Sequence, residues 1–526
     1  MKPKYIIFFF LILIFTNHSA QKYNWVNQVF NNIIDIVNNP GLKKPRLIIN
    51  KNVTIANYNS KSKEIHLDIR TLEICREFDD DSVDCLAFIL GHEIMHHYMQ
   101  HGFIQDNQGN FNDLSFMESL QNFSTLSSKR LEMEVEADFK GGFYTYLAGY
   151  NSLQVAPKVL DTIYKRFEIP NSEKYPSLKE RKEITYNQLE KIETLKNIYN
   201  SSIFSTVYGN FKFAINGFEK ILEEGFVTKE ILNNVGVLYL KEALKTLNNE
   251  DILLYPFEFD TETRLNYETT RGGIQFANQD YIRKLIENAI DYLNQASKFD
   301  FFYQSPKINL ICAYSILAES NREDSQSFNQ NLDLFELYLS SVGQINESIF
   351  FLLNGILEFQ KKNNDKAISF FKKSALQNNY KAKINLEIID STYTAQIESF
   401  SNKKLKYNID GINLNSILYN FYYDSSFTNI KIGEINLIIK KLENSDIFIL
   451  KNNGEGLVFQ QLKNENIGFE KNIKVGISTE DLENFFDFPP IIFNTTRESY
   501  YFYKIDNVIF KIKNGIVKAI IYCNSN

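Results

Sequence analysis

The chain has 526 residues, of which 44% are hydrophobic, 14% aromatic and 23% charged. This composition excludes a disordered or collagen-like polymer and supplies enough apolar side chains for several buried cores. The net charge of −7 gives no support for a nucleic-acid-binding protein, and four cysteines are too few for a disulfide-built scaffold. At roughly 100–200 residues per domain, the length predicts three or four domains.

Residues 1–20 have the pattern of a secretory signal peptide. Lys2 and Lys4 precede an uncharged apolar run from Tyr5 to Phe15, and Ala20 is a small residue at a plausible cleavage site. The run has 11 residues, which is short for a bilayer span, although an uncleaved anchor is the alternative. We therefore expect an exported protein, periplasmic or extracellular, with peripheral membrane association left open.

Residues 21–195 alternate between amphipathic helical patterns and short strand-like runs. Long helical patterns cover about 82–100 and 126–148, and residues 65–69 have the pattern of a strand. The mixture predicts a helix-dominated α+β domain with a small sheet.

Residues 196–395 are almost entirely helical in pattern, and the pattern repeats around Ala214, Ala289 and Ala367. The intervals of 75 and 78 residues each fit two helix-pair units of about 34 residues plus an insertion. The segment resembles degenerate tetratricopeptide (TPR) repeats, which predicts an α-helical solenoid with a protein partner in its concave face. An unrelated helical bundle is the alternative. The stretch 249–280 has the character of an insertion between the helices of one unit.

Residues 403–526 are rich in strand patterns and predict a small α+β domain. Asn514 and Gly515 form the dipeptide preferred in tight hairpins, and Ser478 can cap a helix predicted over Thr479–Phe486. The arrangement resembles small BamE-like helix-plus-sheet modules, and a generic binding or packing domain is the alternative. The predicted fold class is therefore multidomain and mainly α, with an α+β domain at each end of the solenoid.

The sequence His92-Glu93-Ile94-Met95-His96 is an H-E-x-x-H motif within a helical pattern. With six histidines in the chain, such a motif arises by chance about 0.004 times, so we interpret it as a site. His92 and His96 lie one turn apart and can bind one Zn²⁺ through two imidazoles. Glu93 is placed to take a proton from a water at that ion.

A catalytic zinc site needs a third protein ligand, and no histidine follows His101. The third ligand must therefore be a carboxylate or a cysteine. Glu134 and Asp138 are four residues apart on the next strong helical pattern, so Glu134 is the predicted ligand and Asp138 the partner of a ligating imidazole. Without the H-E-x-x-H motif, the same cluster would be an ordinary solvated acidic face. Gly141 and Gly142 allow this helix to pack closely on the histidine helix.

The two motifs together resemble the HtpX-like and BepA-like zinc metallopeptidase family, which has H-E-x-x-H on one helix and E-x-x-A-D on the next. Both stand here unbroken, at 92–96 and 134–138, and the resemblance covers about 175 residues. It implies a gluzincin-like fold with one Zn²⁺ per chain. Tyr175 stands where the family usually has a histidine near the metal, which implies a hydrogen bond to an oxyanion. The domain order resembles the periplasmic BepA-type arrangement, which acts in quality control of outer-membrane proteins.

Several smaller predictions concern the surroundings of the motif. His66 lies on a predicted edge strand, beside which an extended substrate could add by main-chain hydrogen bonding. His97 points away from the ligand face, and His101 suits the C-terminus of the helix. Residues 103–129 form either a lid over the zinc or an ordinary surface excursion. Cys75 and Cys85 are the nearest pair for a disulfide, with buried free thiols as the alternative.

These patterns predict an exported zinc metalloendopeptidase that cleaves protein clients, with envelope protein quality control as the implied role. The alternative is a TPR-based adaptor or chaperone with a latent or structural zinc site. An intact Glu93 and the lack of a fourth protein ligand favour catalysis. The expected partners are protein or peptide substrates and a protein bound at the repeats, with no nucleic acid.

Overall fold

The computed structural model describes most of the chain and divides it into two compact units, residues 1–197 and 198–526. The predicted signal peptide, Tyr175 and most of the predicted lid lie outside the described residues. The described ranges are 23–39, 41–51, 55–101, 114–115, 128–168, 178–247, 253–259, 279–300, 302–343, 345–390, 392–393, 428–441, 445–452, 455–462, 473–486, 490–494, 499–503 and 508–525.

The first unit contains helices around a small sheet, as the pattern predicts. Its elements are α1 Asn24–Val37, β1 Arg46–Asn50, β2 Ala56–Asn59, β3 Glu64–Asp68, α2 Ile69–Arg76, α3 Ser82–Tyr98, β4 Leu114–Ser115, α4 Ser128–Leu147 and α5 Ser152–Arg166. Helix α6 follows at Leu178–Tyr208. Every residue of α3 from Asp84 to Tyr98 is buried, so this helix is the core of the unit.

The sheet of the first unit has the strand order β1-β3-β2-β4. Strand β3 pairs in parallel with β1 and antiparallel with β2. The prediction that His66 lies on an edge strand is therefore wrong, because β1 occupies the side of β3 that a substrate would need. The strand pattern of residues 65–69 was visible in the sequence, whereas the parallel pairing with Arg46–Asn50 depends on a long-range register.

Cys75 and Cys85 face each other in the first unit without forming a disulfide bond. Both thiols are buried and free, and their sulfur atoms lie 3.1 Å apart. Burial is the main cause that raises the pKa of Cys75 well above its usual range. Cys75 of α2 therefore packs as a neutral thiol against Cys85 of α3, the histidine helix.

The helical part of the second unit is a series of helices packed in sequential pairs. Gly236 and Gly355 lie at the contacts within two pairs, where an added Cβ would meet Leu293 at 2.6 Å and Phe371 at 2.5 Å. Ala289, at the centre of a repeated motif, is fully buried, as are Ala214 and Ala367. The helices are α7 Phe211–Glu223, α8 Lys229–Thr246, α9 Gln279–Phe299, α10 Ser305–Ser320, α11 Ser325–Ser341, α12 Glu347–Gln360, α13 Asn364–Leu376 and α14 Tyr380–Ile389.

The end of the chain forms an eight-stranded antiparallel sheet with the order β5-β6-β7-β8-β12-β11-β10-β9. Its elements are β5 Thr428–Ile432, β6 Ile435–Lys441, β7 Ser445–Asn452, β8 Glu455–Leu462, α15 Thr479–Glu483, β9 Ile491–Asn494, β10 Ser499–Tyr503, β11 Val508–Lys513 and β12 Ile516–Ser525.

Local signals set the ends of several of these elements. Asn514 and Gly515 join β11 to β12 with φ values of +54° and +72°, as a tight hairpin requires. Ser478 caps α15 by accepting a hydrogen bond from the Asp481 amide at 3.0 Å. The helix ends at Glu483, earlier than the predicted Phe486, whose ring instead stacks on Tyr503 with centroids 3.6 Å apart. Among the described residues, no helix has both the length and the apolarity that crossing a membrane demands.

Candidate metal centre

Three buried side chains from α3 and α4 converge on one point. The Nε2 atoms of His92 and His96 lie 3.0 Å apart, and Glu134 Oε2 lies 3.3 Å from the first and 3.6 Å from the second. Atoms so separated are each about 1.9 Å from the centre of the circle through them, close to the roughly 2.0–2.1 Å of zinc–imidazole bonds. The three residues form a group that could hold a metal ion, and they are at most 2% exposed.

The chemistry of the cluster fits a cation. Both carboxylate oxygens of Glu134 are buried without a hydrogen-bond partner, and Oε2 faces the Nε2 atoms of the two imidazoles. Burial raises the pKa of Glu134, but the charges of His96 and His92 lower it more, so the net shift is well below the usual range. Burial opposes the charged form of His92, yet Asp138 and Glu134 raise its pKa to about 10. The carboxylates thus create a site that attracts positive charge.

Two glycines bring the helices that carry these ligands together. Gly91 of α3 faces Gly141 of α4, where a Cβ would lie 2.9 Å from the carbonyl carbon and oxygen of Gly91. Gly142 packs in a different direction, because a Cβ there would meet Leu153 at 2.3 Å. Of the two glycines singled out in the sequence, Gly141 is therefore the one that permits the close approach of α4 to α3.

Asp138 orients the first imidazole. Its Oδ1 atom lies 2.8 Å from His92 Nδ1, and both groups are buried. With Nδ1–H donated to this carboxylate, the Nε2 atom of His92 directs its lone pair toward the ligand cluster. The structure therefore places Asp138 in the contact that the sequence predicts.

The second imidazole has a partner that the sequence reasoning missed. His101 Nδ1 lies 2.9 Å from His96 Nδ1, and His101 Nε2 lies 3.4 Å from Glu136 Oε2. Helical spacing does not predict this contact, because α3 ends at Tyr98 and Gln100 turns the chain with φ +55°. Burial and then the neighbouring His96 lower the pKa of His101 to about 3, so this ring is neutral at pH 7.

Glu93 is buried beside the cluster and neither of its carboxylate oxygens has a hydrogen-bond partner. Burial is the largest cause that raises its pKa to about 8, with the charge of Glu134 adding to the shift and that of His92 opposing it. A carboxyl group with a pKa near neutrality can both accept and return a proton.

His66 and His97 lie outside the cluster. His66 Nδ1 accepts a hydrogen bond from the Asn50 amide at 3.2 Å, while its Nε2 lies 3.3 Å from Glu64. His97 contacts the Tyr58 hydroxyl at 3.0 Å and the Lys43 carbonyl at 2.9 Å. Both rings are therefore held by neighbouring residues away from the ligand cluster.

Comparisons with known proteins add no assignment to this geometry. No protein-family model matches the chain, and no curated protein is significantly similar to it.

Proposed function

We propose that the protein is a zinc-dependent metalloendopeptidase. The observation that carries the proposal is the convergence of His92, His96 and Glu134 on one point, beside a buried Glu93 carboxyl group without a hydrogen-bond partner. Among the residues that the structure describes, three side chains form the group, and three protein ligands with one open position are typical of catalytic rather than structural zinc sites.

The residues around the ligands have complementary roles. When bound, Zn²⁺ supplies Lewis acidity that lowers the pKa of a water molecule and polarises a peptide carbonyl. Glu93 takes a proton from the attacking water and returns it to the leaving amine. Asp138 keeps His92 in the tautomer that can ligate. We assign Tyr175 to the oxyanion by the family resemblance alone.

The wider assignment rests on the sequence. The paired motifs support membership of the HtpX-like and BepA-like peptidases with a gluzincin-like fold, and residues 1–20 support export to the periplasm or the extracellular space. The helix pairs of the second unit support a TPR-like solenoid that binds a protein partner. Together they support a role in envelope protein quality control, with unfolded or misassembled proteins as the substrate class.

The test compares three variants of the purified chain for zinc content and for cleavage of casein. Glu93→Gln should keep one zinc per chain and lose cleavage by about 10²–10⁴-fold, because only the proton acceptor is removed. Glu134→Ala should lose zinc and cleavage together. Glu132→Gln is the matched control, since Glu132 is exposed on the same helix. Undiminished cleavage by Glu93→Gln would reject its role as the base.

A second candidate function is an adaptor or chaperone whose metal centre is latent. It is favoured by the burial of the ligands, since His92, His96 and Glu134 are at most 2% exposed. In that case Glu93→Gln would rescue a strain lacking the gene as well as the wild-type protein does. Failure of Glu93→Gln to rescue, with normal zinc content and protein level, would support the peptidase.

A further inference from the structure

An extended segment of the second unit, Leu253–Phe259, lies against helices α8, α10 and α14 without forming a helix or a strand. Leu253 and Tyr255 are 5% and 7% exposed and belong to the core that these helices share. Helices α8 and α9, which flank the insertion in sequence, pack directly on each other through Gly236. The packing of α8 on α9 therefore does not depend on the segment, which also contacts α14, far along the chain.

Asparagine side chains bind the main chain of this segment. Asn385 Oδ1 accepts from the Leu254 amide at 2.7 Å, and its Nδ2 donates to the Leu254 carbonyl at 3.1 Å. Asn309 repeats this pair with Glu258, at 2.8 Å and 2.7 Å. Asn233 Nδ2 donates to the same Glu258 carbonyl at 2.9 Å. On the side of the segment, these contacts involve main-chain atoms only. The asparagines can therefore hold any extended chain, whatever its side chains at these two positions.

The three asparagines are fully buried, so each needs hydrogen-bond partners within the protein. They come from three different helices, and Asn309 Nδ2 also donates to Asn233 Oδ1 at 2.9 Å. A fold that needed only apolar packing here would place aliphatic side chains at these positions. The set instead has the hydrogen-bonding pattern of a strand edge, built from side chains.

Side chains of the segment add selectivity between the asparagine contacts. The Tyr255 hydroxyl lies 3.2 Å from Ser315 Oγ, and Ser305 Oγ donates to the Glu258 carboxylate at 3.1 Å. The Lys241 ammonium group lies 5.7 Å and 5.6 Å from the ring centres of Phe257 and Phe259. In its protonated form this group attracts aromatic rings, so this face favours aromatic residues.

We propose that this asparagine face of the repeats is a binding site for extended, aromatic-rich polypeptide, and that Leu253–Phe259 is a resident segment which such a chain displaces. The occupant from outside is an unfolded segment of a client protein with apolar and aromatic side chains. This inference stands on the contacts of the second unit alone, so it holds or fails independently of the metal centre.

A tethered segment competes at a high effective concentration, in the millimolar range for flexible linkers. A free peptide that binds the vacated face at micromolar concentration should therefore bind the intact chain roughly 10²–10³-fold more weakly. The resident segment thus sets a minimum local concentration for binding, because only a chain presented above that concentration displaces it.

The first experiment measures binding of a fluorescein-labelled peptide with the sequence of Leu253–Phe259 to the full chain by anisotropy. Tyr255→Ser combined with Phe257→Ser weakens the resident segment and should tighten peptide binding at least tenfold over wild type. Adding Asn309→Leu should abolish that gain. Asn354→Leu is the matched control and should retain the gain, since Asn354 donates only to the Phe350 carbonyl of its own helix among the contacts described.

A second peptide, N-methylated at the positions of Leu254 and Glu258, lacks the two amide donors and should bind at least tenfold more weakly. Equal binding of both peptides, or no gain in the Tyr255→Ser and Phe257→Ser variant while it stays folded, would overturn the proposal.

Hydrogen exchange of the wild-type chain tests the proposal without any substitution. The amides of Leu254 and Glu258 should exchange at least tenfold faster than those at the centres of α8 and α10, because the segment detaches while the helices stay folded. Added peptide should speed their exchange further. Exchange at the rate of the helix centres would show that the segment is a permanent part of the fold, and this result decides the matter if the serine variant does not fold.

Discussion

Replacing Gly141 by alanine tests whether the contact between α3 and α4 sets the geometry of the metal centre. A Cβ at this position would lie 2.9 Å from the carbonyl carbon and oxygen of Gly91 and 3.1 Å from the His92 nitrogen. All three are main-chain atoms inside α3, so no side chain can rotate away. Glu134 precedes Gly141 by two helical turns on the same face of α4, so a displacement of the helix moves this ligand.

The direction of the change in the free energy of unfolding distinguishes the effect of packing from that of helix propensity. Glycine to alanine within a helix favours folding by about 0.5–1 kcal/mol when nothing else changes. Restoring an ordinary contact here requires the helices to part by about half an ångström, and overpacking of this kind costs about 1–3 kcal/mol. We therefore expect Gly141→Ala to lower the free energy of unfolding by about 1–2 kcal/mol. Because metal sites tolerate distance errors of only about 0.2 Å, zinc affinity should fall about tenfold or more.

The assay combines chemical denaturation with competition for zinc against a chelator. Gly142→Ala is the matched control, because its Cβ would meet side-chain atoms of Leu153 and Ile192 rather than the backbone of α3. It should lower stability and leave zinc affinity within about twofold of wild type. If Gly141→Ala also binds zinc as wild type does, the glycine contact does not determine where the ligands meet.

Three further variants test other contacts. Asp138→Asn should weaken zinc binding about 10–100-fold in chelator competition, because the carboxylate that orients His92 is lost. His101→Phe should weaken it about tenfold, whereas His97→Phe, which touches no ligand in the contacts described, should not. Burial lowers the pKa of Lys241 to about 7, so the folded chain releases its proton at lower pH than the unfolded chain does. The free energy of unfolding should therefore rise between pH 7.5 and 9 by about 2 kcal/mol more in wild type than in Lys241→Met. Calorimetry measures this rise, with Lys245→Met as the control. The same pH dependence in Lys241→Met and Lys245→Met would contradict the prediction.

Short-range patterns carried most of what the sequence predicts correctly. The four-residue spacing of His92 and His96 and of Glu134 and Asp138 is a property of one helix each, so helical periodicity suffices to group them. Choosing which two helices meet needed only the rule that a metal requires a third ligand. The hairpin at Asn514 follows equally from local turn chemistry.

The errors arise where distant segments or a break in a helix decide the contact. His66 is predicted on an edge strand, but its strand pairs with β1. That pairing is set by a long-range register, which local sequence patterns do not contain. The contact of His101 with His96 was not predicted, because helical spacing does not describe a residue beyond Tyr98, where α3 ends. The asparagine face was not predicted, although Asn233, Asn309 and Asn385 recur at two equal intervals of 76 residues, close to the intervals of the repeated alanines. Nothing in the sequence beside each asparagine marks it as buried.

The two units compensate for the burial of polar groups in different ways, and the difference indicates what each site binds. Around the metal centre, both oxygens of Glu134 and of Glu93 are buried without hydrogen-bond partners, which protein atoms alone do not compensate. On the asparagine face, Asn309 and Asn385 are each satisfied by both main-chain groups of one residue. The first arrangement could be completed by a cation. The second is already complete with the chain's own backbone, and since any extended chain presents the same groups, exchange of one segment for another conserves every one of these hydrogen bonds.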